Sequence, residues 1–386
     1  MSYTQLSLSP TPQPTLSPAD IALFNHFYSM EVSWQILMKI GGAVSCISSF
    51  LLAKHILKKK WADVSLTSIT LLGISAMDII CSFFGYVMGN WMAGEGIFFI
   101  RSGPLLAGNT QTCTAQGFIY NFTIIYFVTA YTGLGALYCL MVRRGWTKNQ
   151  MKTNKMRVAF LLPPVVAALA MAVPPLFYQM YNPAGLFCSL NSYPDNCEYI
   201  EDMQCTRGEN ALLVQFAIFL YALLCNLIVI VFMVLLIWSV YNQEKKSDKY
   251  LSKGQSKKRD YTIDTAWQGV RYAAALTIPF TPSYVFAGYA LFHTQISETS
   301  WVVWVYLTAI LTPLLGFNNA CVYFYPKYMA YRKSNKDMSR FRCVCDTLGI
   351  GWPSCWKTET GSNSDSNLTE PLVDGSGSGD ASNDMI

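Results

Sequence analysis

Between residues 210 and 241 the chain carries no acidic or basic side chain, and the same is true from 113 to 142. About 20 apolar residues at 1.5 Å rise suffice to span the hydrocarbon of a bilayer. Seven blocks of that kind can be read, at 33–53, 65–92, 113–142, 158–180, 210–241, 266–293 and 300–325. Strands with open edges would leave amides unpaired in lipid, so each block is expected to be a helix. Charged residues make up only 13% of the chain, against about 25% in soluble domains. The expectation is an all-α membrane protein, a seven-transmembrane helix bundle.

Charge placement sets its orientation. With residues 1–32 outside, the inner segments 54–64, 143–157, 242–265 and the tail, together with Arg271, hold all but three of the 28 lysines and arginines. The exceptions are Lys39, Arg101 and Arg207. That asymmetry puts the N-terminus outside. Because the positive charge is spread over every inner loop, nucleic acid is excluded as a partner. The chain then divides into a disordered extracellular tail (1–32), the helical domain (33–325), a juxtamembrane amphipathic segment (326–345) and a disordered cytoplasmic tail (346–386).

Cys113, Cys188, Cys197 and Cys205 face the outer, oxidising side. An even number there suggests two disulfides, with three connectivities open. At least one should tie the loop after the fourth helix to the third, through Cys113 and either Cys188 or Cys205. Cys343 and Cys345 follow the basic run YPKYMAYRKSNKDMSRFR. They are palmitoylation candidates beside an inner leaflet whose anionic lipids that run would meet.

A buried charge costs about 2.5–3.5 kcal/mol at a helix centre, and one carboxylate is placed centrally: Asp78, in LLGISAMDIICSFF. It should face the bundle interior and find donors. Asn318 and Asn319, side by side in LTPLLGFNNACVYF, are the expected ones, pointing about 100° apart on their helix. Tyr323 shares a face with Asn319. Asn121 and Asn226 are expected to extend the network. Lys39 and Arg271 sit near helix ends and can snorkel. TIPFTP in the sixth block places Pro279 and Pro282 within one turn, a weak point fit to act as a hinge.

These features together resemble the G-protein-coupled receptors. Asp78 occupies the place of their central acid, and Asn319-Ala-Cys-Val-Tyr323 has NPxxY spacing with Ala320 in place of the proline. The runs CTAQGFIYNF from Cys113 and PLLGFNNACVYF from Pro313 look most like the slime-mould cyclic-AMP receptor-like and secretin-related branch. An acid-Arg-Tyr end to helix three is missing (LYCLMVRRGW), as is CWxP in helix six, so the rhodopsin-like branch fits less well. The absence of a lysine in the seventh block disfavours a retinal protein. The resemblance implies a multi-pass plasma-membrane receptor for an unknown extracellular ligand, with homodimerisation left open. A heterotrimeric G protein would contact Arg143, Arg144, Lys257 and Lys258, and membrane lipids would surround the bundle.

No cofactor or metal is expected. His26, His55 and His293 lie at or beyond membrane edges, away from Asp78, so an enzyme is not expected either. The competing expectation is a seven-span transporter or channel that uses Asp78 as a proton or cation site.

Overall fold

A computed structural model describes residues 18–58, 64–93, 107–146, 148–151, 153–184, 187–194, 197–199, 204–247, 256–291, 298–336 and 338–348. Helix α1 runs Pro18–Leu57. α2 runs Leu66–Ile80, continues as a π-helical segment Cys81–Val87 and ends in a 3-10 turn Gly89–Met92. α3 is Thr110–Arg144, α4 Lys148–Met151, α5 Asn154–Ala172 and α6 Pro174–Phe177. A hairpin follows, β1 Tyr181–Ala184 antiparallel to β2 Phe187–Leu190, with Tyr181 opposite Leu190. Then come α7 Ala211–Ser247, α8 Ser256–Leu291, α9 Glu298–Leu311, a 3-10 turn Thr312–Leu314, α10 Leu315–Ser334 and α11 Arg340–Leu348.

Local chemistry accounts for several boundaries. Asn109 caps α3: its side-chain oxygen accepts from the N–H groups of Gln111 and Thr112, and its own N–H donates to Thr112 Oγ1 at 2.7 Å. That reciprocal arrangement satisfies donors that the first helical turn leaves orphaned. The same helix ends at Gly145, whose φ of +62° lies in the left-handed region that favours glycine. Ser65 caps α2, accepting from Ser68 N–H. Pro163 and Pro164 lie inside α5, which runs through them unbroken.

Helix α3 is the axis of the bundle, packing against α2, α5, α7, α8 and both strands, while α1 packs on α2, α9 and α10 and α8 lies between α7 and α9. Phe127, Tyr131, Leu134 and Leu137 of α3 are wholly buried. The outward faces are apolar. Val158, Leu162, Val166 and Leu169 form an exposed stripe on α5, and Leu220, Leu224, Leu227, Val231 and Val234 do so on α7. Asp78, Gln116, Asn121, Asn226 and Asn319 are buried instead. Polar groups inside and a continuous apolar exterior are what a lipid solvent selects.

Six of the described helical stretches are long and apolar enough to cross a membrane: Val32–Leu57, Leu66–Val87, Thr110–Arg144, Asn154–Phe177, Ala211–Asn242 and Val302–Ser334. They mark the chain as a multi-pass membrane protein. The sixth expected block falls in α8, which is long enough but less apolar, because Pro279, Thr281, Pro282, Ser283 and Tyr284 dilute it.

Two expected boundaries move. Residues 18–32, expected as disordered, belong to the same helix as the first apolar block, because a helix can continue past the point where its apolar character fades. At the other end α10 continues beyond 325 to Ser334, and the separate amphipathic helix is α11, which takes in 346–348 of the expected disordered tail. Residues 349–386 lie outside the described residues.

Candidate functional site

Asp78, 2% exposed, stands where α1, α2 and α10 meet. Its Oδ2 accepts from Ser49 Oγ at 2.8 Å, Ser45 Oγ at 3.0 Å and Ser82 Oγ at 3.4 Å. Ser45 in turn accepts from the N–H of Gly316 at 2.7 Å. The local backbone explains that donor. In the turn Thr312–Leu314 the carbonyl of Thr312 takes the N–H of Leu315, and the N–H of Gly316 reaches across to α1. A Cβ on Gly316 would lie 2.0 Å from Asp78 Oδ2, so glycine is what lets α10 approach. Three hydroxyl donors on one oxygen offset part of the cost of taking a carboxylate out of water.

The expected donors, Asn318 and Asn319, are therefore not the ones used. Ser45 and Ser49 sit four apart on one face of α1, and Ser82 lies one turn beyond Asp78, so all three meet the carboxylate by helical register. Asn318 is half-buried. Asn319 instead accepts from the hydroxyl of Tyr131 on α3, and its buried Nδ2 has no partner among the described residues. The single network expected from the asparagines is divided. Asn226 accepts from Thr277 Oγ1 at 3.1 Å, joining α7 to α8. Asn121 donates to Gly117 O at 2.9 Å and to Ser189 Oγ at 3.5 Å, joining α3 to β2.

Further along α10, Lys327 Nζ stands 4.3 Å over the ring of Tyr323, donates to its hydroxyl at 3.2 Å and contacts Nε2 of His55 on α1. The rings of His55 and Tyr323 meet edge to face. Asn319 and Tyr323, though on one face, thus engage different helices. Pro279 and Pro282 lie inside α8, which continues through both. Thr312, in the 3-10 break of the last span, donates to Pro279 O at 3.3 Å and lies 3.2 Å from Ser283 Oγ. The irregular turn of one span is thereby bonded to the proline segment of its neighbour.

At the disulfide-bearing end the hairpin is fastened to α3. Cys113 is bonded to Cys188 and Cys197 to Cys205, each with Cα atoms 5.3 Å apart. Gln116, part of the run CTAQGFIYNF but given no role from the sequence, does as much. Its amide donates to Phe84 O at 2.9 Å and Gly89 O at 2.7 Å, and its oxygen accepts from Cys188 N–H. Those two carbonyls lie at the irregular end of α2, where the π and 3-10 segments change the usual pairing. Lys39 serves the same region, donating to Val87 O at 2.8 Å and Met88 O at 3.2 Å with its ammonium 4.1 Å from the Trp91 ring. Arg271 lies over the Tyr325 ring at 4.7 Å.

At the opposite, basic end Arg143 and Arg144 are exposed in the last turn of α3, where cations suit the helix dipole. Lys257 and Lys258 belong to the first turn of α8, and their side chains lie outside the described residues. The two palmitoylation candidates are not equivalent. Cys343 is fully buried, whereas Cys345 is half-buried beside the exposed Phe341 and Val344. A maleimide applied to the detergent-solubilised protein is expected to label Cys345 in a Cys343→Ala variant. Labelling of Cys343 in Cys345→Ala should be at least about tenfold slower, since a buried thiol reacts only through local opening. Equal rates would show that α11 does not hold Cys343 inside.

No protein-family model matches this chain, and no curated protein matches it.

Proposed function

We propose that the chain is a plasma-membrane G-protein-coupled receptor with seven crossings, α8 supplying the sixth of them in chain order, and with its N-terminus outside. The observation that carries this reading is the bond from Thr312 to the carbonyl of Pro279. It couples two adjoining spans that are both irregular where they meet, one by prolines and the other by a 3-10 turn. Below that level α10 is held by discrete polar contacts to α1 and α3 rather than by packing alone. Polar contacts of that kind have alternatives, as a two-state element requires.

An outside ligand would act on the hairpin and the adjoining helix ends. The lower half of α8 would pivot about Pro279 and Pro282, and the exposed Arg143 and Arg144 would contact a heterotrimeric G protein. The charge asymmetry of the sequence supports the orientation. The lone central carboxylate also suits a transporter or channel that uses Asp78 as a proton or cation site, and the test separates the two.

The purified protein in nanodiscs is assayed with a panel of heterotrimeric G proteins for nucleotide exchange, and in liposomes for ion flux. Exchange above the empty-nanodisc level is expected; flux without exchange would overturn the receptor reading in favour of transport. Asp78→Asn retains an oxygen to accept from the three serines. It is expected to leave abundance near wild type while changing exchange by about fivefold or more, the usual reach of a coupling between sites. Loss of folded protein instead would assign Asp78 a purely structural role.

A further inference from the structure

A groove of about 780 Å³ opens between the end of α5 and the start of α7. Its floor is apolar, formed by Met171, Pro174, Val214 and Ala217, and its rim carries Arg207 and Glu209. Leu213, on the groove wall, is 68% exposed, and the neighbouring Phe177 and Tyr178 are 80% and 68% exposed. Large aromatics bared at the end of a spanning helix belong at the headgroup level of a bilayer. The groove therefore meets acyl chains along its side and headgroups at its rim.

The rim is built rather than loose. Cys205, which lines the groove, is bonded to Cys197 across a separation of eight residues. The N–H groups of Thr206 and Arg207 both donate to Tyr193 O, and Tyr193 N–H donates to Arg207 O at 2.9 Å. Gly208 has φ +71°, and a Cβ there would lie 2.5 Å from Asn191 O. Glu198 fixes the start of α7 by accepting from Ala211 N–H at 3.0 Å. On this rim Arg207 and Glu209 make no ion pair and no side-chain hydrogen bond with another described residue. One cation and one anion thus stand two residues apart, uncommitted, above an apolar floor.

We propose that this groove is a binding site for a zwitterionic phospholipid of the adjoining leaflet. Its phosphate lies on Arg207, its amine faces Glu209, and one acyl chain follows Val214, Ala217 and Met171. The charge pair decides the class: an anionic headgroup would satisfy Arg207 but meet Glu209, and a neutral amphiphile would leave both unpaired. A volume of this size falls in the range of about 300–1,000 Å³ typical of small-ligand sites, enough for a headgroup and part of one chain, while the open side lets the remainder lie in the bilayer. The proposal rests on the membrane placement of this end and not on G-protein coupling.

The full chain is placed in phosphatidylcholine nanodiscs with a trace of photoactivatable phosphatidylethanolamine, and the cross-linked peptides are identified by mass spectrometry. Labelling is expected to concentrate on residues 171–174 and 205–217. Arg207→Gln and Glu209→Gln should each lower it by about fivefold, the worth of one partly exposed charge contact. Both side chains are on the rim, and unchanged thermal unfolding verifies that the variants fold. The charge-exchanged double variant Arg207→Glu/Glu209→Arg should recover capture. Labelling that is equal in the variants, spread evenly over the exposed stripes of α5 and α7, or as strong with phosphatidylglycerol would overturn the proposal. A failure here leaves the nucleotide-exchange result untouched, so the two readings stand or fall separately.

Discussion

Gly316→Ala is expected to remove most of the folded protein. The added methyl would lie 2.0 Å from Asp78 Oδ2 and 2.2 Å from Ser49 Oγ. Neither atom can retreat cheaply, because the carboxylate is fixed by Ser45, Ser49 and Ser82 in a site closed to water. Overpacking alone costs about 1–3 kcal/mol. Pushing the carboxylate aside to admit the methyl also strips its serine hydrogen bonds, each worth about 1.5–3 kcal/mol to a charged group. Together these rival the about 5–15 kcal/mol that holds a typical domain folded. The measurement is thermal unfolding in detergent together with folded yield. Asp78→Ala in the same chain removes the nearer atom that the methyl strikes and the acceptor that holds Ser49 Oγ beside it, so the double variant should be more stable than Gly316→Ala alone. A single variant that melts with the wild type would show that the close approach is absent.

Breaking the two disulfides should have unequal effects. Cys113 and Cys188 are 75 residues apart in sequence, and Cys197 and Cys205 only 8. If each bond acts by restricting the unfolded chain, the first contributes about 4.5 kcal/mol and the second about 2.5 kcal/mol. The Cys113→Ala/Cys188→Ala variant is therefore expected to melt well below Cys197→Ala/Cys205→Ala. It also frees the strand that Gln116 holds through Cys188 N–H. If the short loop proves as costly as the long one, the chain-entropy account fails here, and the rigidity of the Thr206–Asn210 rim becomes the more important quantity.

The positions of six spans could be read in the sequence because membrane burial is a property of about 20 consecutive residues. Asp78 could be singled out because a lone carboxylate in such a run must turn inward. Its partners could not. Serines are small and common, and only the register of α1 against α2 shows that Ser45 and Ser49 matter while Ser48 bonds its own backbone at Val44. The asparagines misled for a related reason. Their chemistry suits a carboxylate, but the 3-10 turn before α10 sets which way they face, and Asn319 meets Tyr131 instead. The cysteines left a choice between Cys188 and Cys205 that spacing does not settle, and three-dimensional proximity resolves it to Cys188. The π segment of α2 has no comparable sequence mark.

The ammonium of Lys39 finds its acceptors on Val87 and Met88, at the far end of the next helix. During synthesis those carbonyls emerge about 50 residues after the lysine, several seconds later at about 5–20 residues per second. Until they arrive, the first span holds a charge with no protein group to receive it. Helices α1 and α2 are thus expected to enter the bilayer as a hairpin, the second completing the insertion of the first. A stalled chain in which residue 87 is still inside the ribosome should leave α1 extractable by alkaline carbonate, and one in which Met92 has cleared it should not.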